Sequence, residues 1–196
     1  MCGKVNRHNV RIWGTENPKS VVEVARDSPK VNVFYSVFTF KVYGPLFFSE
    51  QTVTGIAHLD MLTEWLLPHL NEDSADFLLQ MDEAPPHFHR HVREFLNLHL
   101  PQRWIGRDTD DDQMLLALPP RSPDATPCDF FLWGYVKDQV YVPPLPASIP
   151  ELKVRIRTAI GTITADMLQA VWNELDYRVD VCRITKGAHV ELLYGM

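Results

Sequence analysis

The stretch DFLLQMDEAPP, residues 76–86, decides how this chain is read. From Phe77 to Asp82 the side chains alternate with period two, which puts Phe77, Leu79 and Met81 on one face and Leu78, Gln80 and Asp82 on the other. The proline pair at Pro85 and Pro86 stops the strand. Asp82 is therefore expected as the last residue of a buried strand, with its carboxylate at the strand's carboxyl end.

The flanking sequence extends the pattern. VNVFYSVF, residues 31–38, reads as an interior strand, and KVYGPLFF, residues 41–48, follows after two residues as in a hairpin. From Thr54 the spacing turns helical, with Ile56, Leu59, Leu62 and Leu66 on one stripe until Pro68. HRHVREFLNLHL, residues 89–100, predicts the next helix, and MLLAL, residues 114–118, a short strand. Near Pro150 one helix is capped by Ser148 and Glu151; a second starts at Thr164 and carries Met167, Leu168, Val171, Trp172 and Leu175. The predicted order is strand, strand, helix, strand, helix, strand, helix and a helical tail, an α/β layer architecture.

A second stretch, PPRSPDATPCDFFLWG at 119–134, packs prolines around two aspartates. Thr126, Pro127 and Asp129 have the spacing of an N-cap, a first-turn proline and a capping-box acid. Asp124 precedes that cap on a turn stiffened by Pro123; an Asx-type turn is its structural alternative. In open α/β sheets chemistry gathers at the carboxyl ends of strands, where Asp82 and Asp124 both fall. Two carboxylates meeting there repel unless a divalent cation lies between them, and hard oxygen ligands favour magnesium or manganese.

Composition sets outer bounds. The 196 residues predict one globular domain, with 45% hydrophobic and 22% charged residues. No run of apolar residues long enough to span a membrane and no signal-peptide pattern occurs, so a soluble intracellular protein is expected. Cys2, Cys128 and Cys182 have no paired spacing that suggests a disulfide framework or zinc knuckle. A net charge of −6 and a pI near 5.7 argue against a domain that grips nucleic acid by bulk charge.

Other candidates have ordinary readings beside them. His87, His89 and His91 could place two imidazoles for zinc, but no further ligand completes the set, and a solvated helix start is the simpler reading. Asp108, Asp110 and Asp112 imitate half a calcium loop, yet Gln113 and Pro119 stand where glycine and glutamate are needed, leaving a mobile surface loop. Phe130, Phe131 and Trp133 suit a core more than base stacking. Arg103, Arg107 and Arg121 flank the aspartates and suit phosphate contact, with salt bridges to the acidic loop as the alternative.

Taken together, LLQMDEAPPHF, LPQRWIGR, PPRSPDATPCDFFLWGYVKDQVYVPPLP and YRVDVCRITKGAHVE resemble the catalytic domain of mariner-type transposases, from about Gly3 to about Glu191. The resemblance implies an RNase H-like mixed sheet flanked by helices, with a C-terminal helical extension, and a three-aspartate site for phosphodiester hydrolysis and strand transfer. It makes Asp82 the second catalytic and metal-binding aspartate and Asp124 the third, separated by the 41 residues from 83 to 123. It further implies Mg2+ or Mn2+ as cofactor, transposon-end DNA and a homodimer as partners, no membrane, and a nuclear location.

Two departures follow from the same resemblance. The family's first aspartate lies on a central strand upstream of a segment like GKVNRHNVRIWG, and both that strand and the preceding helix-turn-helix region are expected to be missing from residues 1–196. Glu83 stands where the family has glycine. Three readings result: an N-terminally truncated, inactive transposase-derived domain; a working nuclease in which Glu83 or another carboxylate stands in; and a non-enzymatic DNA- or protein-interaction module domesticated from a transposon. Loss of a central strand also predicts unpaired edges beside VNVFYSVF and DFLLQMD, a gap that NVRIWG would have to fill, and a marginally stable, aggregation-prone chain.

Overall fold

The computed structural model describes residues 30–107, 111–119 and 122–185. NVRIWG lies outside the described residues. The hairpin is present: β1 (Val33–Val37) pairs antiparallel with β2 (Val42–Phe47). The register slips between Phe34↔Leu46 and Ser36↔Tyr43, and the bulge is absorbed at Gly44, whose φ of +110° and close approach to Phe34 leave no room for a side chain.

Thr54 Oγ1 accepts the Ala57 N–H at 3.2 Å and starts α1 (Gly55–Met61). The helix does not end at Pro68. A π turn over Leu62–Leu66 widens the backbone, with Leu67 N–H donating to Leu62 O, and α2 (Leu67–Asp73) continues through the proline. A proline within a helix lacks a donor and crowds the carbonyl four residues back; the wider turn relieves both problems. The buried stripe is also rotated from the expected one, since His58, Met61, Leu62 and Leu66 face inward while Ile56 is exposed.

β3 (Leu79–Gln80) is shorter than its sequence pattern, although Leu79 N–H to Arg103 O and Met81 N–H to Ile105 O, at 3.0 and 2.9 Å, prolong its pairing. After α3 (Arg90–His99) the chain returns through β4 (Trp104–Gly106), parallel to β3, and β5 (Leu116–Ala117) lies parallel to β4. The sequence reading missed β4, because three residues between two arginines carry no measurable period. MLLAL forms only the two-residue edge β5, with Leu115 and Leu116 exposed. A π turn at Cys128–Leu132 leads into α4 (Trp133–Val140), followed by α5 (Ile149–Gly161) and α6 (Ala165–Thr185). Both expected caps form at α5, with Glu151 N–H donating to Ser148 Oγ at 3.3 Å and Ala147 N–H to Glu151 Oε2 at 2.8 Å.

Two apolar cores lie on either side of the hairpin. Leu62, Leu66, Leu96 and Trp104 fill the first, closed by Tyr43; Leu132, Val136, Leu152 and Ile156 fill the second with Val31 and Tyr35. Each fully buried aliphatic side chain contributes about 1.5–3 kcal/mol relative to exposure, so these cores hold helices to both faces. Among the described residues, β1 pairs only with β2 and β3 only with β4; β1 and β3 line a cavity of about 200 Å³ between them.

Candidate active site

Asp82 sits just beyond β3, where the DEAPPH turn folds back on itself. Ala84 N–H donates to Asp82 Oδ1 at 2.9 Å, and His87 Nδ1 lies 2.6 Å from the same oxygen. The turn is closed by His87 N–H donating to Ala84 O at 2.9 Å, which places imidazole on carboxylate. His87 therefore holds the Asp82 carboxyl below its ordinary range, with the Ala84 N–H adding to the effect against partial burial. Both contacts fall on Oδ1. His87 is thus part of the site, contrary to its expected place at a solvated helix start; His89 does start α3, its Nδ1 accepting from His91 N–H at 3.3 Å.

Beneath His87, ring to ring at 4.2 Å, lies His58, which is 1% exposed. Burial, reinforced by His87 and opposed by Asp82, pushes its pKa down to about 3. His58 and His87 both border the cavity between β1 and β3, which Asp82 also lines. Cys128 lines the same cavity, and burial pushes its thiol up to about 12, far from a reactive thiolate.

Asp124 occupies a 3₁₀ turn, Pro123–Ala125. Its Oδ1 accepts from Arg178 Nη1 of α6 at 3.3 Å. The two aspartate segments are joined by Gln80, whose Nε2 donates to Ala125 O at 2.9 Å. Gln80 is two residues before Asp82 and Ala125 one residue after Asp124, so this bond ties the end of β3 to the turn.

The capping box expected at Thr126 does not form. Thr126 Oγ1 donates to Ser122 O at 3.3 Å and receives Gln80 Nε2 at 3.5 Å, serving the junction instead. Asp129 is released from capping, and its carboxyl is pushed up by burial and then by the charge of Asp82. It is an acidic neighbour of the site that its local motif concealed. Phe131 and Trp133 pack, partly buried, against the second core as expected, Phe131 also stacking on Tyr135, whereas Phe130 lies under Arg178 at 4.5 Å; the fully buried side chain of this segment is Leu132. Trp133 packs edge-on against Tyr35 at 5.2 Å.

The arginines divide. Arg103 directs its guanidinium to Ala75 O at 2.8 Å and Phe77 O at 3.4 Å, at the opposite end of β3 from Asp82. Arg107 lies over Phe88 at 4.4 Å and borders a small pocket with Asp82 and His87. Arg121 lies outside the described residues, as do Asp108 and Asp110. Asp112 does not match the expected mobile surface loop, because its side chain is 4% exposed and accepts from Arg93 Nη1 at 2.8 Å and Asn97 Nδ2 at 2.9 Å. Among the described residues no group of three His, Cys, Asp or Glu side chains is arranged to hold a metal ion. A donor set of two carboxylates on joined segments, one with its contacts confined to Oδ1, fits a hard divalent ion that keeps most of its waters.

No helix among the described residues is long and apolar enough to cross a membrane. No protein-family model matches the sequence, and no curated protein matches it. Solved structures do match. A Mos1 transposase paired-end complex with the left transposon end superposes with a TM-score of 0.67 at 17% identity, covering 92% of this chain and 50% of that one. A Mos1 mariner paired-end complex with Mn gives 0.67, 17%, 92% and 51%. The Mos1 transposase catalytic domain with raltegravir and Mn gives 0.60, 17%, 81% and 82%. The chain thus spans about half the length of the transposase in the paired-end complexes, and it has the mixed α/β, RNase H-like fold of the Mos1 transposase catalytic domain.

Proposed function

We propose that this chain is a single transposase-derived DNA-processing domain, in which Asp82 and Asp124 hold a magnesium or manganese ion beside a DNA phosphate. One observation carries the reading: the Gln80–Ala125 hydrogen bond of 2.9 Å ties the two aspartate segments together on a fold shared with the Mos1 catalytic domain. When bound, a divalent ion activates water or a DNA 3′-hydroxyl as nucleophile and stabilises the leaving oxygen. The chain's own residues position that chemistry. His87 and the Ala84 N–H hold Asp82 through Oδ1, and Arg107, which borders a small pocket with Asp82, is the proposed phosphate contact. Transposon ends, a second copy of the chain and a nuclear location belong to the same proposal.

Two carboxylates suit one ion, whereas in-line displacement benefits from a second ion that clamps the other reacting oxygen. Residues 1–196 are therefore proposed to bind metal but to cut DNA too slowly for transposition. The alternative, an interaction module, is favoured by the exposed Leu115 and Leu116 at edge strand β5, a surface suited to strand pairing with a partner. Incubation of residues 1–196 with a pre-nicked transposon end and Mn2+ tests the reading. It predicts metal-dependent DNA retention with no cleavage above that of an Asp124→Asn variant. Asp124-dependent cleavage would establish a working nuclease, and absence of metal-dependent retention would favour the interaction module.

A further inference from the structure

Arg178 is a residue of the site that no local sequence pattern singles out. It projects from α6, 54 positions after Asp124, and its guanidinium is fixed from three directions. Nε donates to Glu174 Oε1 at 2.7 Å, the cationic plane lies over the Phe130 ring at 4.5 Å, and Nη1 reaches Asp124 Oδ1 at 3.3 Å. The Arg178 and Asp124 side chains are 18% and 28% exposed, so water screens the pair less than it screens a surface ion pair.

A guanidinium and a divalent cation make incompatible demands on one carboxylate. Each takes the oxygen lone pairs, and each raises the cost of bringing the other positive charge near. We propose that Arg178 competes with the divalent cation for Asp124, so that α6 holds the site in a charge-balanced, metal-free state until the guanidinium is displaced. This rests on the reading of Asp82 and Asp124 as the cation-holding pair. Glu174 and Phe130 keep the displaced guanidinium beside the site, where a planar fork suits a DNA phosphate.

The test is a Mn2+ titration of the full 196-residue chain without DNA, at constant ionic strength, with free Mn2+ read by electron paramagnetic resonance. Arg178→Gln and Arg178→Met both remove the charge, the latter keeping an apolar stem over Phe130; circular dichroism confirms which variants are folded. Arg183→Gln removes the same charge from the same helix, at a side chain paired with Asp180. Loss of the competing charge should tighten Mn2+ binding about five- to tenfold for either Arg178 variant, while Arg183→Gln stays within about twofold and Asp124→Asn abolishes the site. Unchanged or weaker binding in the folded Arg178 variants, with Asp124 dependence retained, overturns the competition and leaves the metal-site reading standing. Absence of Asp124-dependent Mn2+ binding in every variant overturns both.

Discussion

Acidification from pH 7.5 to pH 5.0 should destabilise the fold through one buried side chain, His58. It is 1% exposed, its Nε2 has no hydrogen-bond partner among the described residues, and burial holds its pKa near 3 instead of 6.5. The folded value lies below the unfolded one, so above pH 6.5 both states are neutral and the full stability is present. Between pH 6.5 and about 3 only the unfolded chain takes up the proton, and stability falls by about 1.4 kcal/mol per pH unit. At pH 5.0 the loss amounts to roughly 2 kcal/mol, a large share of the 5–15 kcal/mol that holds an ordinary domain. Urea unfolding followed by tryptophan fluorescence at several pH values measures it, with His58→Leu as reference for all other titrating groups. The native chain should lose about 2 kcal/mol more than His58→Leu over this range. Parallel pH profiles for the two proteins would refute the assignment of a neutral, buried imidazole.

Other perturbations probe the frame that holds the site. Gly55→Ala should cost about 1–3 kcal/mol in urea unfolding, because the added Cβ would clash with Cβ and Cγ of His89, the fixed base of that side chain. Asp112→Ala should cost roughly 1.5–3 kcal/mol by the same measurement, since Arg93 and Asn97 lose a shared, buried acceptor. The reading in which a central strand between β1 and β3 is missing predicts that thermal unfolding of residues 1–196 begins at low temperature and ends in aggregation; a sharp, high, reversible transition would contradict it.

What the sequence revealed depended on the range of the interaction. The hairpin, the helix start at Thr54, the Ser148 cap and the alternation around Leu79 were legible because each is set within a few residues by period or capping chemistry. Pro68 misled because a π turn lets the helix pass it, and β4 escaped because Trp104–Gly106 is a strand only by virtue of its two neighbours. The site divided in the same way. The candidate aspartates could be picked out from rigid, proline-flanked turns, Asp82 just past β3 and Asp124 on a 3₁₀ turn well beyond the end of β5 rather than at a strand end, whereas their partners were hidden to different degrees. His87 had a local signal in the Pro-Pro turn that folds it back; Arg178 and His58 reach the site only through packing of α6 and α1, and Gln80 looked like an ordinary outward strand residue.

The central claim, that Asp82 and Asp124 form one cation site, is tested most directly by an anomalous difference map from Mn2+-soaked crystals of the chain. The account predicts a peak bonded to oxygens of both carboxylates, with Arg178 withdrawn from Asp124, and loss of that peak in Asp124→Asn. No peak at Asp82 and Asp124, or carboxylates separated by more than about 8 Å, twice the usual two-metal spacing, would contradict it.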